Sequence, residues 1–363
     1  MKNLVIIKIN RNKKEEFNIE EKVRLIKNNY ILIKKLNNFL ILFKLVIIKY
    51  IVLIAFLFII ILDIIYKNTN IINIAMSLNN DYTYPIMVSM TSILLNSNKN
   101  TSIHFHILKG NDVDIENQNK ILSLKHINKN TNFTFYDVGN RFNGWIHGKK
   151  KITVAGFYRS IIGELIKNVD KIIYLDGDTL IYGDLYEMYQ INMDNLYFRG
   201  IREILPSYYK PVINSSRFIC DGVMLMNLKL IREDHFYETF RDYYLKFYNK
   251  RIYFGDQHII NTLFRDKIDF LPPKFGIWFM TEENFKEYNS LNPLIYTIDE
   301  LREANNKPII RHLWGKTQEG IDLLEKPWLF NKPCKIKEEW KYYANKTGYY
   351  ESICKFFKNA CLN

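Results

Sequence analysis

The chain has only four cysteines, Cys220, Cys334, Cys354 and Cys361, and no two stand in C-x-x-C spacing. A zinc ribbon or finger is therefore excluded, because such sites are built from closely spaced thiolate pairs. Cys220 sits in an apolar context and reads as a buried free thiol. The other three lie near the carboxyl end and suit a disulfide in an oxidising compartment. There is no Arg-rich stripe and no nucleic-acid-binding motif, which argues against a nucleic-acid partner. The formal net charge is +13 but uneven: residues 1–49 hold 12 Lys/Arg against 4 Glu, leaving only +5 for the rest. What the chain has in quantity is length, 363 residues, and aromatic side chains, 15% of the total. That suffices for one large core or two small ones.

Tyr50–Tyr66 is apolar throughout except for Asp63. With the preceding L-V-I-I it reaches the ~20 residues that cross a bilayer. No small-x-small cleavage pattern follows, so an uncleaved anchor over 45–66 is expected in place of a removed signal. The Lys/Arg excess before the span assigns residues 1–44 to the cytosol. They read as a basic, low-complexity tail, disordered or lying on the membrane. The remainder would then be lumenal, with four N-x-S/T sequons at Asn100, Asn132, Asn214 and Asn345.

The main body alternates strand and helix. Strands are expected at Ile71–Ala75, Ile103–Leu108, Phe133–Val138 and Ile172–Leu175. Helices are expected at Pro85–Leu95, Ile115–Lys125 and Ile161–Ile166. Strand–helix alternation of this kind signals a parallel α/β sheet, whose ligands bind beyond the carboxyl ends of strands. The apolar run Ile172–Leu175 ends in Asp176-Gly177-Asp178. On an extended chain residues i and i+2 share a side, so both carboxylates can meet one divalent cation. Gly177 would let a ligand approach. A solvated turn is the competing reading. The second Asp-x-Asp, Asp112-Val113-Asp114, follows no apolar run and reads as surface loop.

Other polar residues stand at ends of apolar segments. Asp81-Tyr82 follows the first strand, where a tyrosine face can stack on a base or simply pack at the rim. Arg159 precedes the carboxylates and suits phosphate or sugar hydroxyls, or the surface. Cys220–Leu228 is an apolar strand opened by Asp221-Gly222, and Gly222 permits close backbone approach. Asp256-Gln257-His258 opens a helix, where Asp256 can be only a cap. His312 ends the run Ile309-Ile310-Arg311 and either joins the Asp pair's metal or is structural. Gly315 and Lys326-Pro327-Trp328 follow.

In chain order, I-A-M-S-L-N-N-D-Y, F-Y-R-S-I-I-G-E-L, K-I-I-Y-L-D-G-D-T-L, C-D-G-V-M-L-M-N-L, G-D-Q-H-I-I-N and R-H-L-W-G with K-P-W together resemble glycosyltransferase family 8, the glycogenin and lipopolysaccharide galactosyl/glucosyltransferase family. The resemblance runs from about Ile71 to Trp328. It implies a GT-A fold over 70–330, a Rossmann-like mixed sheet with flanking helices. An aromatic and basic extension occupies 331–363. It further implies transfer of a hexose, glucose or galactose, from a UDP-sugar to a glycan, glycolipid or glycoprotein acceptor, with retention at the anomeric carbon. By position, Asp176, Asp178 and His312 would bind Mn²⁺. Asp81 and Tyr82 would contact uridine, and Gly222, Gly315 and Lys326 would line the donor site. Arg159, Asp256 and Gln257 would hold the sugar, with Gln257 near the anomeric carbon. A lumenal domain that uses imported UDP-sugars fits the Golgi or ER.

The chain departs from the family pattern at Asn79, where Asp is usual, at Asp221, where a small residue is usual, and at His258. The gap from Gly315 to Lys326 is long, so Lys316 competes with Lys326 as the phosphate partner. Two other readings follow from the same residues: a non-catalytic glycan- or UDP-binding descendant, and a metal-dependent phosphohydrolase. The second needs only the Asp pair and His312.

Overall fold

The computed structural model describes residues 13–67, 70–146, 153–203, 217–248, 255–277, 280, 282–289, 295–313, 326–328 and 335–358. The chain divides into two compact units, Met1–Asn68 and Thr69–Asn363. The first is one helix, α1 (Lys13–Lys67). Its Ile19–Ile61 stretch is long and apolar enough to cross a membrane, and its side chains are exposed. The tail expected to be disordered or membrane-lying is therefore helical from Lys13 onward. Between Lys13 and Lys67 there is no Gly or Pro to stop the helix.

The second unit runs β1 (Asn70–Leu78), α2 (Thr83–Asn96), β2 (Thr101–Lys109), α3 (Ile115–Ser123), β3 (Thr131–Asp137), α4 (Ile162–Leu165), β4 (Lys171–Leu175) and β5 (Thr179–Ile181). Then follow α5 (Tyr186–Gln190), β6 (Phe198–Arg202), β7 (Ile219–Asn227), α6 (Leu228–Glu233), α7 (Phe236–Phe247), α8 (Asp256–Leu263), β8 (Ile268–Phe270) and β9 (Phe275–Ile277). The last elements are α9 (Glu282–Asn289), α10 (Ile298–Asn306), β10 (Ile310–His312), α11 (Lys335–Lys346) and α12 (Tyr350–Phe356).

The main sheet has the order β3-β2-β1-β4-β7-β6-β8, and a smaller one the order β5-β10-β9. β1 pairs in parallel with both β2 and β4, whereas β7 is antiparallel to β4 and β6. The sheet is thus mixed: parallel from β3 to β4, as the strand–helix alternation requires, with β7 antiparallel to both its neighbours and β8 again parallel to β6. The chain leaves β1 for β2 on one side and returns to β4 on the other. That makes β1/β4 a topological switch point, where a crevice opens beyond the strand ends. Tyr82 follows β1 and Asp176 follows β4, so both stand at its mouth.

Alternation along β1 sends Ile72, Ile74, Met76 and Leu78 into a core with α2, while Ala75 joins a second core on the opposite face. A third cluster joins Val88 of α2 and Leu180 of β5 to Trp328, Trp340, Tyr343 and Ile353, so α11 and α12 pack against the same body. Asp112 and Asp114 behave as loop residues. Asp112 accepts a hydrogen bond from Asn80 N, and Asp114 caps α3. Helical structure before β4 starts earlier than expected and is mostly 3-10, Val154–Ile161, continued by α4. Arg159 Nε donates to Gly156 O and Ser160 Oγ to Phe157 O, bonds to carbonyls three residues back that tighten the turn. Cys220 is a buried free thiol, and Cys354 is disulfide-bonded.

Candidate active site

The end of β4 aims Asp176 and Asp178 into the crevice, and the small sheet brings the third polar group to them. His312 pairs with Thr179 across β10 and β5, and Leu313 N donates to Asp178 O at 2.8 Å. His312 Nε2 then lies 3.2 Å from Asp178 Oδ1. One ligand atom each from Asp176, Asp178 and His312 lie within 4.8 Å of one another. Two carboxylate oxygens and an imidazole nitrogen suit a divalent first-row cation, so the donor set fits the ion expected there.

Two glycines make this packing possible. A Cβ at Gly222 would collide with His312 Cε1 and lie 2.8 Å from Nε2 and 2.9 Å from Asp176 Oδ2. A Cβ at Gly177 would lie 2.5 Å from Ile86 Cγ1 and 3.3 Å from Tyr82 Cδ1. Both glycines therefore serve contacts inside the protein.

Arg159 organises the other side. Its Nη2 donates to Asp176 Oδ1 at 2.9 Å, its Nε faces Asp256 Oδ2 at 2.8 Å, and its Nη1 lies 3.4 Å from Asp221 Oδ1. Nη1 also donates to the Asp221 carbonyl. The guanidinium lies over the Tyr174 ring at 4.4 Å, and Tyr174 Oη donates to Asp176 Oδ1 at 3.1 Å. Asp256 is the first residue of α8, following Gly255 at φ +59°, and it is ion-paired where a simple cap was the alternative. Gln257 beside it is half-buried.

Lys326 stands on the third side. Its Nζ lies 3.4 Å from Asp178 Oδ2 and donates to Tyr82 Oη at 2.5 Å. Tyr82 meets Trp328 edge-on at 6.2 Å. Asp81 is exposed on the 3-10 turn next to Tyr82. Gly315 and Lys316 lie outside the described residues. The structure thus gathers Asp176, Asp178, His312, Lys326, Tyr82, Arg159 and Asp256 around one crevice, flanked by Gly222.

The electrostatics separate the two carboxylates. Burial would raise Asp178, but Lys326 and His312 hold it well below the usual carboxylate range. Asp176 is raised, because burial and its neighbour Asp178 outweigh Arg159. Burial would lower His312 and Lys326, yet both are raised, chiefly by Asp178. Asp221 is raised well above the ordinary value by burial, with Asp256 and Asp176 opposing its charge. Arg159 thus serves Asp176, Asp221 and Asp256, while Lys326 and His312 face Asp178.

Sequence reasoning missed two contributors. Tyr174 was read only as part of an apolar strand. Glu203, directly after β6, is 6% exposed; burial raises Cys220, Asp178 raises His312, and the Glu203 charge adds to both. Its signal was a carboxylate at the end of the strand F-R-G-I-R, a segment not recognised as a strand.

The family model for glycosyl transferase family 8 matches residues 73–329. The chain belongs to glycosyltransferase family 8. It is similar to the lipopolysaccharide 1,2-glucosyltransferase of Escherichia coli, 24% identical over 290 residues, 77% of each chain. It is also similar to glycosyltransferase GlyB of Streptococcus pneumoniae, 23% identical over 194 residues, 53% of this chain but 43% of GlyB. The fold matches that of galactosyltransferase LgtC, solved in complex with donor and acceptor sugar analogs. The TM-score is 0.63 at 21% identity, over 76% of this chain and 96% of that one. The bifunctional glycosyltransferase WbbM gives a TM-score of 0.63 at 20% identity, over 79% of this chain and 52% of that one. The family-8 chain is a glycosyltransferase with the mixed sheet and flanking helices of the GT-A fold. The crevice described above lies within its matched region.

Proposed function

We propose that this family-8 glycosyltransferase is a retaining hexosyltransferase that moves glucose or galactose from a UDP-sugar to a glycan or glycoconjugate. The observation that carries the reading is the Asp176–Asp178–His312 cluster with Lys326 seated on Asp178 and Tyr82. Asp176, Asp178 and His312 would hold Mn²⁺, which as a Lewis acid supplies positive charge to the diphosphate. Lys326 adds a fixed charge at the same edge, where negative charge builds on the leaving group. That position favours Lys326 as the phosphate partner. Tyr82 offers its ring to uracil, with Asp81 beside it.

Arg159 is held from three directions, so it presents a rigid surface to the sugar with Asp256. Gln257 stands next to them in the role of facing the anomeric carbon. A carboxamide is a poor nucleophile, so attack by the acceptor hydroxyl from the face the phosphate leaves accounts best for retention. The departing phosphate oxygen takes the proton. α1 serves as a signal-anchor that places the catalytic unit in the Golgi or ER lumen, and the disulfide at Cys354 suits that oxidising compartment.

The test is a donor panel on the full chain in detergent with Mn²⁺, reading released UDP by mass spectrometry and product configuration by NMR. UDP release from UDP-glucose or UDP-galactose with an α-linked product is expected. Binding of UDP without turnover on any donor would favour the non-catalytic reading instead.

A further inference from the structure

Cys220 and Gly222 lie two residues apart on β7, beside a register irregularity against β6, and both abut His312. At Gly222 the imidazole fills the space of a missing side chain. At Cys220 it meets one: Sγ lies 3.4 Å from His312 Nδ1. The other ring nitrogen, Nε2, lies 3.2 Å from Asp178 Oδ1. The two nitrogens thus have distinct partners, a thiol on one side and the carboxylate cluster on the other. Cys220 and His312 are each only 7% exposed, which leaves water little access to the Nδ1 side.

A histidine that ligates through Nε2 must carry its proton on Nδ1, and that proton needs an acceptor. Histidine ligands usually donate it to a carboxylate, a carbonyl or water, and that partner fixes the ring's orientation. Here the neighbour of Nδ1 is sulfur, a weak acceptor. We propose that Cys220 is the positioning residue of this cation site: its thiol sulfur accepts from His312 Nδ1–H and so keeps Nε2 turned to the ion. This rests on the reading of Asp176, Asp178 and His312 as cation ligands. Cys220 acts through the ring, and its role is distinct from packing because an oxygen acceptor of similar size would preserve it.

The experiment measures Mn²⁺ affinity of the full chain in detergent by electron paramagnetic resonance of free Mn²⁺, with thermal unfolding recorded separately. The variants are Cys220→Ala, Cys220→Ser and, as the control for the site itself, Asp178→Asn. Loss of such a supporting partner costs about 10- to 100-fold in metal affinity. Cys220→Ala is therefore expected to weaken Mn²⁺ binding by that factor, while Cys220→Ser stays within about threefold of the parent. Equal affinity of Cys220→Ala and the parent overturns the proposal. Equal loss in Ala and Ser variants also overturns it, since packing alone would then explain the effect. A parent chain that binds no Mn²⁺ overturns the reading of the cluster itself, and this inference with it. A parent that binds Mn²⁺ and loses it on Asp178→Asn separates that case from a failure of the Cys220 proposal alone.

Discussion

Gly222→Ala adds one methyl group at the point where β7 meets the Asp176–Asp178–His312 cluster. The new Cβ would lie 2.8 Å from His312 Nε2 and 2.9 Å from Asp176 Oδ2. The backbone cannot withdraw. Leu175 pairs with Val223, and Asp176 N donates to Gly222 O at 2.8 Å, in a strand flanked on both sides. The ring must therefore move by roughly 1 Å to restore ordinary contact, and displacement on that scale can cost about 100-fold in rate. Overpacking of this kind also destabilises by about 1–3 kcal/mol. The expected outcome is a thermal midpoint lowered by a few degrees and donor turnover reduced about 100-fold. The thermal part should shrink in a His312→Ala background, where only the contact with Asp176 Oδ2 remains. Parental turnover and Mn²⁺ affinity in Gly222→Ala would refute the packing argument, as would the same thermal loss with and without the His312 ring.

Arg159→Lys replaces a three-way fork with a point charge and leaves buried carboxylates unpaired; loss of about 3–5 kcal/mol is expected in urea unfolding. A variant as stable as the parent would show the cluster needs no guanidinium. Tyr82→Ala is expected to raise the donor KM by about 10- to 100-fold, the value of a base-stacking ring, whereas Tyr82→Phe changes it little. Equal effects of the two would assign the role to the hydroxyl on Lys326. His312 is raised above its ordinary value of 6.5, and a proton on it competes with a cation. Mn²⁺ affinity is therefore expected to be full above that raised value and to fall as pH drops through it, approaching about tenfold per pH unit. Electron paramagnetic resonance across about pH 5 to 8 checks this, and a flat profile would exclude His312 as a ligand.

Much of the site was legible because the residues stand at the ends of apolar runs. The Ile172–Leu175 run announced β4 and fixed where Asp176 and Asp178 would stand. Joining His312 to them was not legible from residue pattern alone, since 134 positions separate it from Asp178. The pairing of β10 with β5 makes that contact, and strands of three residues leave almost no periodic signal. Arg159 was visible as a residue but not as a hub, because its partners come from β4, β7 and α8. Tyr174 was hidden by the run that revealed its neighbours. The glycines stand out in the sequence for backbone freedom, but that they admit Ile86 and His312 follows only from the packing. The helix expected at Ile161–Ile166 is present as α4, but the 3-10 turn before it, tightened by side-chain bonds to carbonyls at i−3, leaves no mark of its own in the hydrophobic pattern.

In the function proposed above, Asp176, Asp178 and His312 hold a cation on which UDP-sugar chemistry in this crevice depends. The most direct test is UDP release from UDP-glucose and UDP-galactose by the full chain with Mn²⁺, set beside Asp178→Asn and chelator. Mn²⁺-dependent release by the parent and none by a folded Asp178→Asn is expected. Release that survives both chelation and the substitution would contradict it.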